Sequence, residues 1–288
     1  MTTTNNTLGI WLMVATTLVF AVQDGLSQHL ASTYNVLMIV MIRYWFFAAF
    51  VVVIATRRAG GVRAAAATTQ PKLQVFRGLL LVSEICVMVL SFTYLGLVET
   101  HAVFACYPLL IAALSGPVLG EYVGWRRYAA IGVGFVGILI ILQPGLGVFS
   151  PFAILPAIAA TMFALYGLLT RYAARRDGAA TSFFWTGTVG AIAITLVGVW
   201  FWEPMTGTDW ALMSALCVTG ALGHFLLIKC YDVAEASAVQ PFAYLQLPFV
   251  VSIGLLVFNE TVETHVVVGG ALIVSAGLFT LWRARQKG

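Results

Sequence analysis

The sequence predicts an all-α integral membrane protein, with ten transmembrane helices arranged as two inverted five-helix repeats. Hydrophobic residues make up 61% of the 288 positions and charged residues only 9%, whereas a soluble domain carries about 25% charge. Apolar runs recur along the whole chain, and many approach the roughly 20 residues that a helix needs to cross a bilayer. A set of marker residues also occurs twice, about half a chain apart. Together these observations predict a duplicated bundle of membrane-spanning helices.

The duplicated markers frame one apolar hairpin in each half of the chain. The first copy contains Tyr94, Thr100, Pro108 and Glu121, and the second contains Tyr231, Ser237, Pro248 and Glu260. Self-similarity at this spacing indicates a repeated architecture. We therefore predict two repeats, residues 1–146 and residues 147–288.

Ten apolar runs are interpreted as spans, at about 8–30, 36–56, 75–97, 100–119, 128–143, 151–172, 181–202, 209–231, 236–257 and 264–282. Lysine and arginine test this count, because they concentrate in cytoplasmic loops. With ten spans, 14 of the 15 basic residues lie on the face that the termini share. We expect both termini in the cytoplasm and the chain in the bacterial inner (plasma) membrane. Five spans per half invert the second half, and transporters built this way bind solutes near the midplane.

Ionisable residues inside the predicted spans are the first candidates for a solute cavity, since a charge in a bilayer needs a partner or a wet surface. Asp24 and Arg43 lie in the first hairpin and either pair to tie helices together or line a pathway. Glu84 either binds a proton or an amine, or bonds to a neighbouring span. His224 either titrates near neutral pH or is simply hydrogen-bonded. Lys229 either extends to the cytoplasmic surface or contacts a solute carboxylate.

Prolines and aromatic residues add to this predicted cavity. Pro108, Pro241 and Pro248 interrupt the second arm of each hairpin and free backbone carbonyls, which a wet cavity or a packed neighbour must satisfy. Gln246 lies beside this interruption in the second half. Aromatic walls are predicted from Tyr94, Tyr107, Tyr166, Trp185 and Tyr244.

Several other functions are excluded by the pattern. The basic clusters separate apolar runs, so they indicate orientation in the membrane and no nucleic acid. Gly132, Gly134 and Gly137 spell GxGxxG, but inside an apolar span, where close helix packing explains them better than a dinucleotide. The four cysteines lie in apolar stretches and are predicted to be free thiols. We predict no enzyme activity, cofactor or metal. The expected partners are lipid, a small solute and, as an optional coupling ion, the proton; the chain is expected to be a monomer.

The whole pattern resembles the drug/metabolite transporter superfamily of the EamA type. The resemblance rests on Arg43, Tyr94, Thr100, Pro108, Gly120, Glu121, Pro248, Asn259 and Glu260. Within the superfamily the chain is similar to the YddG-type exporters of aromatic amino acids and methyl viologen. It departs from the pattern in span 7, which has no arginine to match Arg43.

The resemblance implies a secondary transporter that exports amino acids or similar metabolites, with an aromatic or hydrophobic bias, by alternating access around a central cavity. One alternative is multidrug efflux of aromatic cations such as methyl viologen, which Asp24 and Glu84 would attract. Another is a membrane enzyme or lipid-handling protein. The sequence shows no catalytic constellation for that last function.

Overall fold

The computed structural model describes residues 5–57, 60–120, 125–142, 151–234, 239 and 242–285. All regular secondary structure in these ranges is helical. The α-helices are α1 (Asn6–Ala31), α2 (Val36–Thr56), α3 (Gly61–Ala66), α4 (Pro71–Phe104), α5 (Tyr107–Leu119), α6 (Trp125–Leu142), α7 (Ile154–Ala173), α8 (Ala179–Gly198), α9 (Gly207–Val233), α10 (Gln246–Val257) and α11 (Thr264–Arg285). Two single 3₁₀ turns, Pro151–Ala153 and Val199–Phe201, extend α7 and α8.

Short polar residues define where several of the helices begin. The side chains of Asn5, Asn35 and Thr206 each accept a hydrogen bond from a backbone N–H in the first turn of α1, α2 and α9. These caps satisfy N–H groups that have no partner inside the helix. Pro71 opens α4, where its missing N–H costs nothing. The helix boundaries therefore follow local chemistry as well as the apolar pattern.

Six helical segments are long and apolar enough to cross a membrane: Asn6–Ala31, Val36–Thr56, Pro71–Phe104, Ile154–Ala173, Ala179–Phe201 and Gly207–Val233. Four shorter apolar helical segments accompany them: Tyr107–Leu119, Tyr128–Ile141, Gln246–Val257 and Thr264–Phe279.

Polar and apolar side chains are distributed in the opposite way to a soluble protein. Large apolar side chains such as Trp200 and Leu256 are exposed on the outside of the bundle, while Arg77, Gln74 and Glu84 are buried inside it. An exposed apolar surface of this extent fits a protein whose outer solvent is lipid. The polar interior is consequently the part of the fold in which function is to be sought.

Helices from the two halves of the chain pack against each other in pairs. The most extensive pairings are α1 with α9, α6 with α11, α4 with α7, and α2 with α8. The α6–α11 pair is held by close backbone approach, as predicted for the glycine-rich span. A Cβ atom on Gly137 would lie 2.7 Å from the carbonyl oxygen of Gly269 on α11. The interior is thus bounded mainly by surfaces that belong to different halves.

The predicted third and fourth spans differ from the observed helices. The sequence pattern ends span 3 at residue 97 and starts span 4 at residue 100, but α4 continues to Phe104. The helix is interrupted at Gly96, which has φ of 76° and ψ of 179°. Glycine adopts this backbone conformation readily because it has no Cβ atom. A second interruption at Ala105–Cys106 separates α4 from α5. The segment Leu97–Phe104 is therefore a separate half-helix that returns into the bundle.

Three residues named in the sequence prediction, Glu121, Ser237 and Pro241, lie outside the residues that the structure describes. Pro108 and Pro248 lie in the first turns of α5 and α10, directly after the preceding turn or break. A proline in the first turn of a helix removes an N–H that has no partner within the helix.

Candidate functional site

A cavity lies inside the bundle, between helices of both halves, and it is partly open to the outside. The space in which the centre of a water molecule fits measures about 40 Å³. Its lining residues are Phe20, Gln23, Asp24, Arg43, Glu84, Ile85, Met88, Val89, Phe104, Phe163, His224 and Gln246. The polar members among them are all buried. Five residues predicted from sequence, Asp24, Arg43, Glu84, His224 and Gln246, are thus brought together here.

Arg43 reaches the cavity from α2 and is 3% exposed. Its Nη2 atom donates to Oε1 of Gln23 at 3.0 Å and lies 3.3 Å from Nε2 of His224. Because a guanidinium only donates, His224 accepts through Nε2 and carries its proton on Nδ1. Among the described residues, no carboxylate forms an ion pair with Arg43. The direct pairing of Arg43 with Asp24 that the sequence suggested is replaced by a bridge through Gln23.

Asp24 instead pairs with His101, which the predicted bounds place at the very start of span 4. Its Oδ2 atom lies 3.0 Å from Nε2 of His101 and accepts a hydrogen bond from Nε2 of Gln246 at 3.1 Å. Its Oδ1 atom accepts from Nε2 of Gln23 at 3.2 Å. One buried carboxylate therefore joins α1, the half-helix Leu97–Phe104 and α10.

Glu84 differs from Asp24 because its carboxylate faces the cavity without a protein partner. The side chain lies on α4, is 4% exposed and lines the cavity. Within the described part of the chain, it forms neither a hydrogen bond nor an ion pair. Counted along α4, it lies about 18 Å from the break at Gly96 and about 20 Å from the first residue, Pro71. An unpaired acid at this depth is costly, so a ligand or a proton is expected to neutralise it.

The apolar walls of the cavity are half aromatic, from Phe20, Phe104 and Phe163, and half aliphatic. The ring of Phe20 lies 5.1 Å from that of His224, and the ring of Phe104 lies 5.5 Å from that of Phe163. A smaller pocket, with about 10 Å³ of space for the centre of a water molecule, adjoins the cavity and shares Phe104 and Gln246 with it. Its lining residues are His101, Phe104, Ala105, Tyr107, Pro108, Ala243, Tyr244, Gln246 and Leu247. Two of the predicted aromatic residues, Tyr107 and Tyr244, therefore line this second pocket and not the main cavity.

The other predicted cavity residues lie elsewhere. Tyr94 is 51% exposed and stacks on Phe152 with 3.8 Å between ring centroids. Tyr166 is buried, and its ring lies 5.2 Å from the guanidinium of Arg77.

Trp185 donates from Nε1 to the carbonyl of Ala66 at 3.1 Å. Lys229 lies near the end of α9 and pairs with Asp232 at 3.5 Å. None of these side chains is among those that line the cavity.

Glu260, a marker residue of the second hairpin, binds the backbone at the break in α4. Its carboxylate accepts hydrogen bonds from the backbone N–H groups of Leu97 and Val98, each at 2.8 Å. Nε2 of Gln28 on α1 also donates to it, at 2.8 Å. The break at Gly96 exposes these two N–H groups, and a carboxylate at a helix N-terminus interacts favourably with them. Glu260 thereby fixes the start of the half-helix that carries His101.

A second buried hydrogen-bonded cluster surrounds Asp177. Its Oδ2 atom accepts from Oγ1 of Thr68 at 2.6 Å and from Nε2 of Gln74 at 2.7 Å. Arg77 donates to Thr170 at 2.8 Å and also to Gln74. These bonds join α4 and the segment before it to α7 and its following turn.

Sequence reasoning missed His101, and it treated Gln23 and Glu260 only as part of a polar stripe and as a repeat marker. The available signal was Gly96, which follows Tyr94 and precedes a helical run. A glycine break there places His101 one turn inside the bundle instead of at the start of a span.

An apolar-surfaced helical bundle around a charged cavity is the architecture of a multi-pass membrane transporter. A family model agrees with this class. Residues 7–143 and residues 151–282 each match the EamA-like transporter family, and the chain belongs to that family. The family and the names of its relatives are those of transporters, in agreement with the prediction that the chain is not an enzyme.

Two curated relatives illustrate the range of the similarity. The chain is 26% identical over 220 residues to an S-adenosylmethionine uptake transporter of Rickettsia prowazekii, covering 76% of this chain and 75% of the relative. It is 33% identical over 182 residues to a riboflavin transporter of Vibrio cholerae, covering 62% and 61%. Neither relative bears the name of an aromatic amino-acid exporter.

A solved crystal structure supports the fold. It matches the chain with a TM-score of 0.69 at 15% sequence identity, covering 98% of this chain and 99% of the other. At this identity the likeness concerns the fold alone.

Proposed function

We propose that this protein is a secondary transporter for a zwitterionic solute that joins an α-amino-acid group to a flat ring. Aromatic amino acids belong to this class, and S-adenosylmethionine carries the same α-amino-acid group together with an additional sulfonium charge. The solute occupies the central cavity, with its carboxylate on Arg43 and its ammonium group on Glu84. Phe20, Phe104 and Phe163 contact its ring.

The observation that supports this proposal is that a basic and an acidic side chain, Arg43 and Glu84, line one cavity and neither of them forms an ion pair within the described chain. A zwitterion supplies one charge of each sign, so it neutralises both groups without changing the net charge of the site. A monovalent aromatic cation would pair with Glu84 only and would leave Arg43 without an anion.

Riboflavin is the second candidate, because the relative from Vibrio cholerae carries that name. Its flat ring fits the aromatic walls, but its neutral ribityl chain supplies no partner for the buried charge of Glu84. The zwitterion is therefore the better match to the charges of the cavity.

The ten-span, two-repeat architecture is part of the proposal and is supported by the helix pairing. Exchanging the halves maps α1 onto α7 and α4 onto α9, so the α1–α9 pair becomes the α7–α4 pair. Both of these pairings are among the most extensive in the bundle. The exchange leaves the α2–α8 and α6–α11 pairs unchanged. This is the pattern expected for two inverted repeats around a central site.

We place the chain in the bacterial inner membrane as a monomer, with both termini cytoplasmic, on the strength of its basic loops. A carrier of this kind moves its solute in whichever direction the gradients favour. Export, as the YddG-type resemblance implies, and uptake, as the name of the Rickettsia relative states, are therefore two modes of one mechanism.

The test is counterflow into proteoliposomes that contain the purified protein. Vesicles are loaded with one unlabelled solute, and entry of the same labelled solute is followed for S-adenosylmethionine, tryptophan and riboflavin. We expect counterflow of at least one of the two zwitterions. Counterflow of riboflavin alone, or of none of the three, would contradict the proposed solute class.

A matched pair of arginine variants links the flux to the cavity. Arg43→Lys keeps the charge but loses the planar fork that binds a carboxylate through two parallel hydrogen bonds. We expect a rise of about tenfold in the half-saturating concentration, equivalent to about 1.4 kcal/mol. Arg57→Lys, at the exposed end of the same helix, should leave it unchanged. Equal effects of the two variants would argue against a role of Arg43 in binding.

A further inference from the structure

His101 makes three polar contacts: its Nε2 atom lies 3.5 Å from Nε2 of Gln246, and the other two contacts bear on the number of protons on the Asp24–His101 pair. Its Nδ1 atom lies 2.9 Å from the backbone carbonyl oxygen of Leu97, one helical turn earlier. Its Nε2 atom lies 3.0 Å from Oδ2 of Asp24. Both side chains are buried, with the imidazole 2% and the carboxylate 10% exposed.

The contact with Leu97 requires a proton on Nδ1, because a carbonyl oxygen only accepts hydrogen bonds. The contact with Asp24 then needs its own proton. If Nε2 were bare and Asp24 ionised, two lone pairs would face each other at 3.0 Å in a buried site. A single further proton must therefore lie between Nε2 and Oδ2, either on the imidazole or on the carboxyl group.

We propose that the Asp24–His101 pair is a proton-binding site that couples proton movement to solute transport in the same direction. The pair takes one proton from water on one side of the membrane and releases it to water on the other side. No bond other than N–H or O–H changes, so the step balances without a further reactant. This inference rests on the proposed transport function but not on the identity of the solute.

Coupling follows from the position of Gln23 between the two charged groups. With the proton in place, Asp24 is occupied by His101 and Gln246, and Arg43 bonds to Gln23 and His224. Arg43 then remains available to the carboxylate of a solute. When the proton leaves, the Asp24 carboxylate and the unprotonated Nε2 atom of His101 repel each other. The nearest strong cation to Asp24 is then Arg43, to which Gln23 bridges it. Proton and solute therefore favour each other's binding, and this linkage is reciprocal.

Binding or loss of the proton changes how the half-helix Leu97–Phe104 is attached to the bundle. It is held at its start by Glu260 and in its middle by the bond between His101 and Asp24. Loss of the proton removes the second attachment and leaves the first. Since Phe104 on this segment forms a wall of the cavity, release of the half-helix changes access to the solute.

The environment of the pair is dominated by few charges. The charged and titratable groups that line the same cavity or the adjoining pocket come from five helices or the turns beside them: Arg43 of α2, Glu84 of α4, Tyr107 of α5, His224 of α9 and Tyr244 just before α10.

The proton count is tested without any solute by ¹⁵N NMR of the purified protein labelled at histidine. The chain has four histidines, and His101→Gln identifies the signals of His101. We expect Nδ1 to carry a proton and Nε2 to be protonated or strongly hydrogen-bonded. A neutral imidazole protonated only at Nε2, with Nδ1 bare, would overturn the assignment.

The coupling is tested in proteoliposomes that contain pyranine as an internal pH indicator. An inward gradient of whichever solute shows counterflow is imposed without a pH gradient. We expect the interior of the vesicles to become more acidic. We expect His101→Gln to lower the rate of acidification at least tenfold while counterflow continues, because the glutamine amide donates a hydrogen bond to Asp24 but binds no proton. Asp232→Asn, which removes a partly exposed carboxylate paired with Lys229, is the control and should acidify as the parent does.

Three results would overturn the proposal. Counterflow without solute-driven acidification would show that the solute moves without a proton. Alkalinisation would show exchange in opposite directions. Undiminished acidification in His101→Gln would place the proton site elsewhere. Failure of counterflow with every solute would count against the proposed function instead, and the NMR measurement would still decide the proton count.

Discussion

Replacing Glu84 by glutamine is expected to stabilise the empty protein and to weaken solute binding at the same time. The carboxylate is buried, lines the cavity and has no protein partner in the described chain. Burial of the ionised carboxylate therefore costs free energy that no contact with the protein offsets. A neutral amide of nearly the same size removes most of this cost.

The size of both effects follows from that environment. Relief of the unpaired charge, less the cost of an incompletely bonded amide, should raise the free energy of unfolding by about 1 kcal/mol, or Tm by about 2–4 °C. Loss of the partner for a solute ammonium group should weaken binding by about 2 kcal/mol, or about 30-fold. A solute without an ammonium group should bind unchanged.

Both quantities are accessible in detergent solution. The four cysteines are free, and three of them are fully buried, so a thiol-reactive fluorophore reports unfolding and gives Tm. Isothermal titration with the transported zwitterion gives Kd. Glu203→Gln makes the same substitution at an exposed carboxylate and should change neither value. A lower Tm together with an unchanged Kd would refute the reasoning, since Glu84 would then be a structural residue.

Two further predictions concern the fold around the cavity. Glu260→Gln leaves one of two backbone N–H groups of the half-helix without a full acceptor and should lower the free energy of unfolding by about 1–2 kcal/mol. The control Glu263→Gln, at an exposed side chain nearby, should leave the free energy of unfolding unchanged. An equal loss of stability in the thermal unfolding curves of both variants would contradict the capping role of Glu260. Gly137→Ala places a Cβ atom 2.7 Å from a backbone oxygen of α11 and should cost about 1–3 kcal/mol. Gly132→Ala on the same helix meets nothing within 4 Å and should be neutral in the same assay.

The sequence predicted the helical membrane architecture and half of the cavity for a simple physical reason. Asp24, Arg43 and Glu84 each lie deep in an apolar run, and a charge at such depth must face the interior. Close packing was also predicted for Gly132, Gly134 and Gly137; it is found at Gly134 and Gly137, whereas a Cβ atom on Gly132 would meet nothing within 4 Å, and the sequence did not identify α11 as the partner. These inferences need only the local sequence and the solvent.

Tertiary partners were beyond the reach of that reasoning. His101 is 77 residues from Asp24, and Glu260 is 163 residues from Leu97. Their meeting depends on the interruption at Gly96, which turns a predicted connection into a half-helix. The exposed position of Tyr94 follows from the same cause, because it lies on the last turn before the break and faces Phe152 on the outside.

The most direct test of the central claim compares each zwitterion with its counterpart that lacks the amino-acid group, by titration into the purified protein. Tryptophan is paired with indole, and S-adenosylhomocysteine with 5′-methylthioadenosine, since both members of the second pair are thioethers without the sulfonium charge of S-adenosylmethionine. If Arg43 and Glu84 bind an ammonium and a carboxylate, at least one zwitterion will bind at least about tenfold tighter than its counterpart, a difference of about 1.4 kcal/mol. Equal affinities within both pairs, or binding of riboflavin alone, would contradict it.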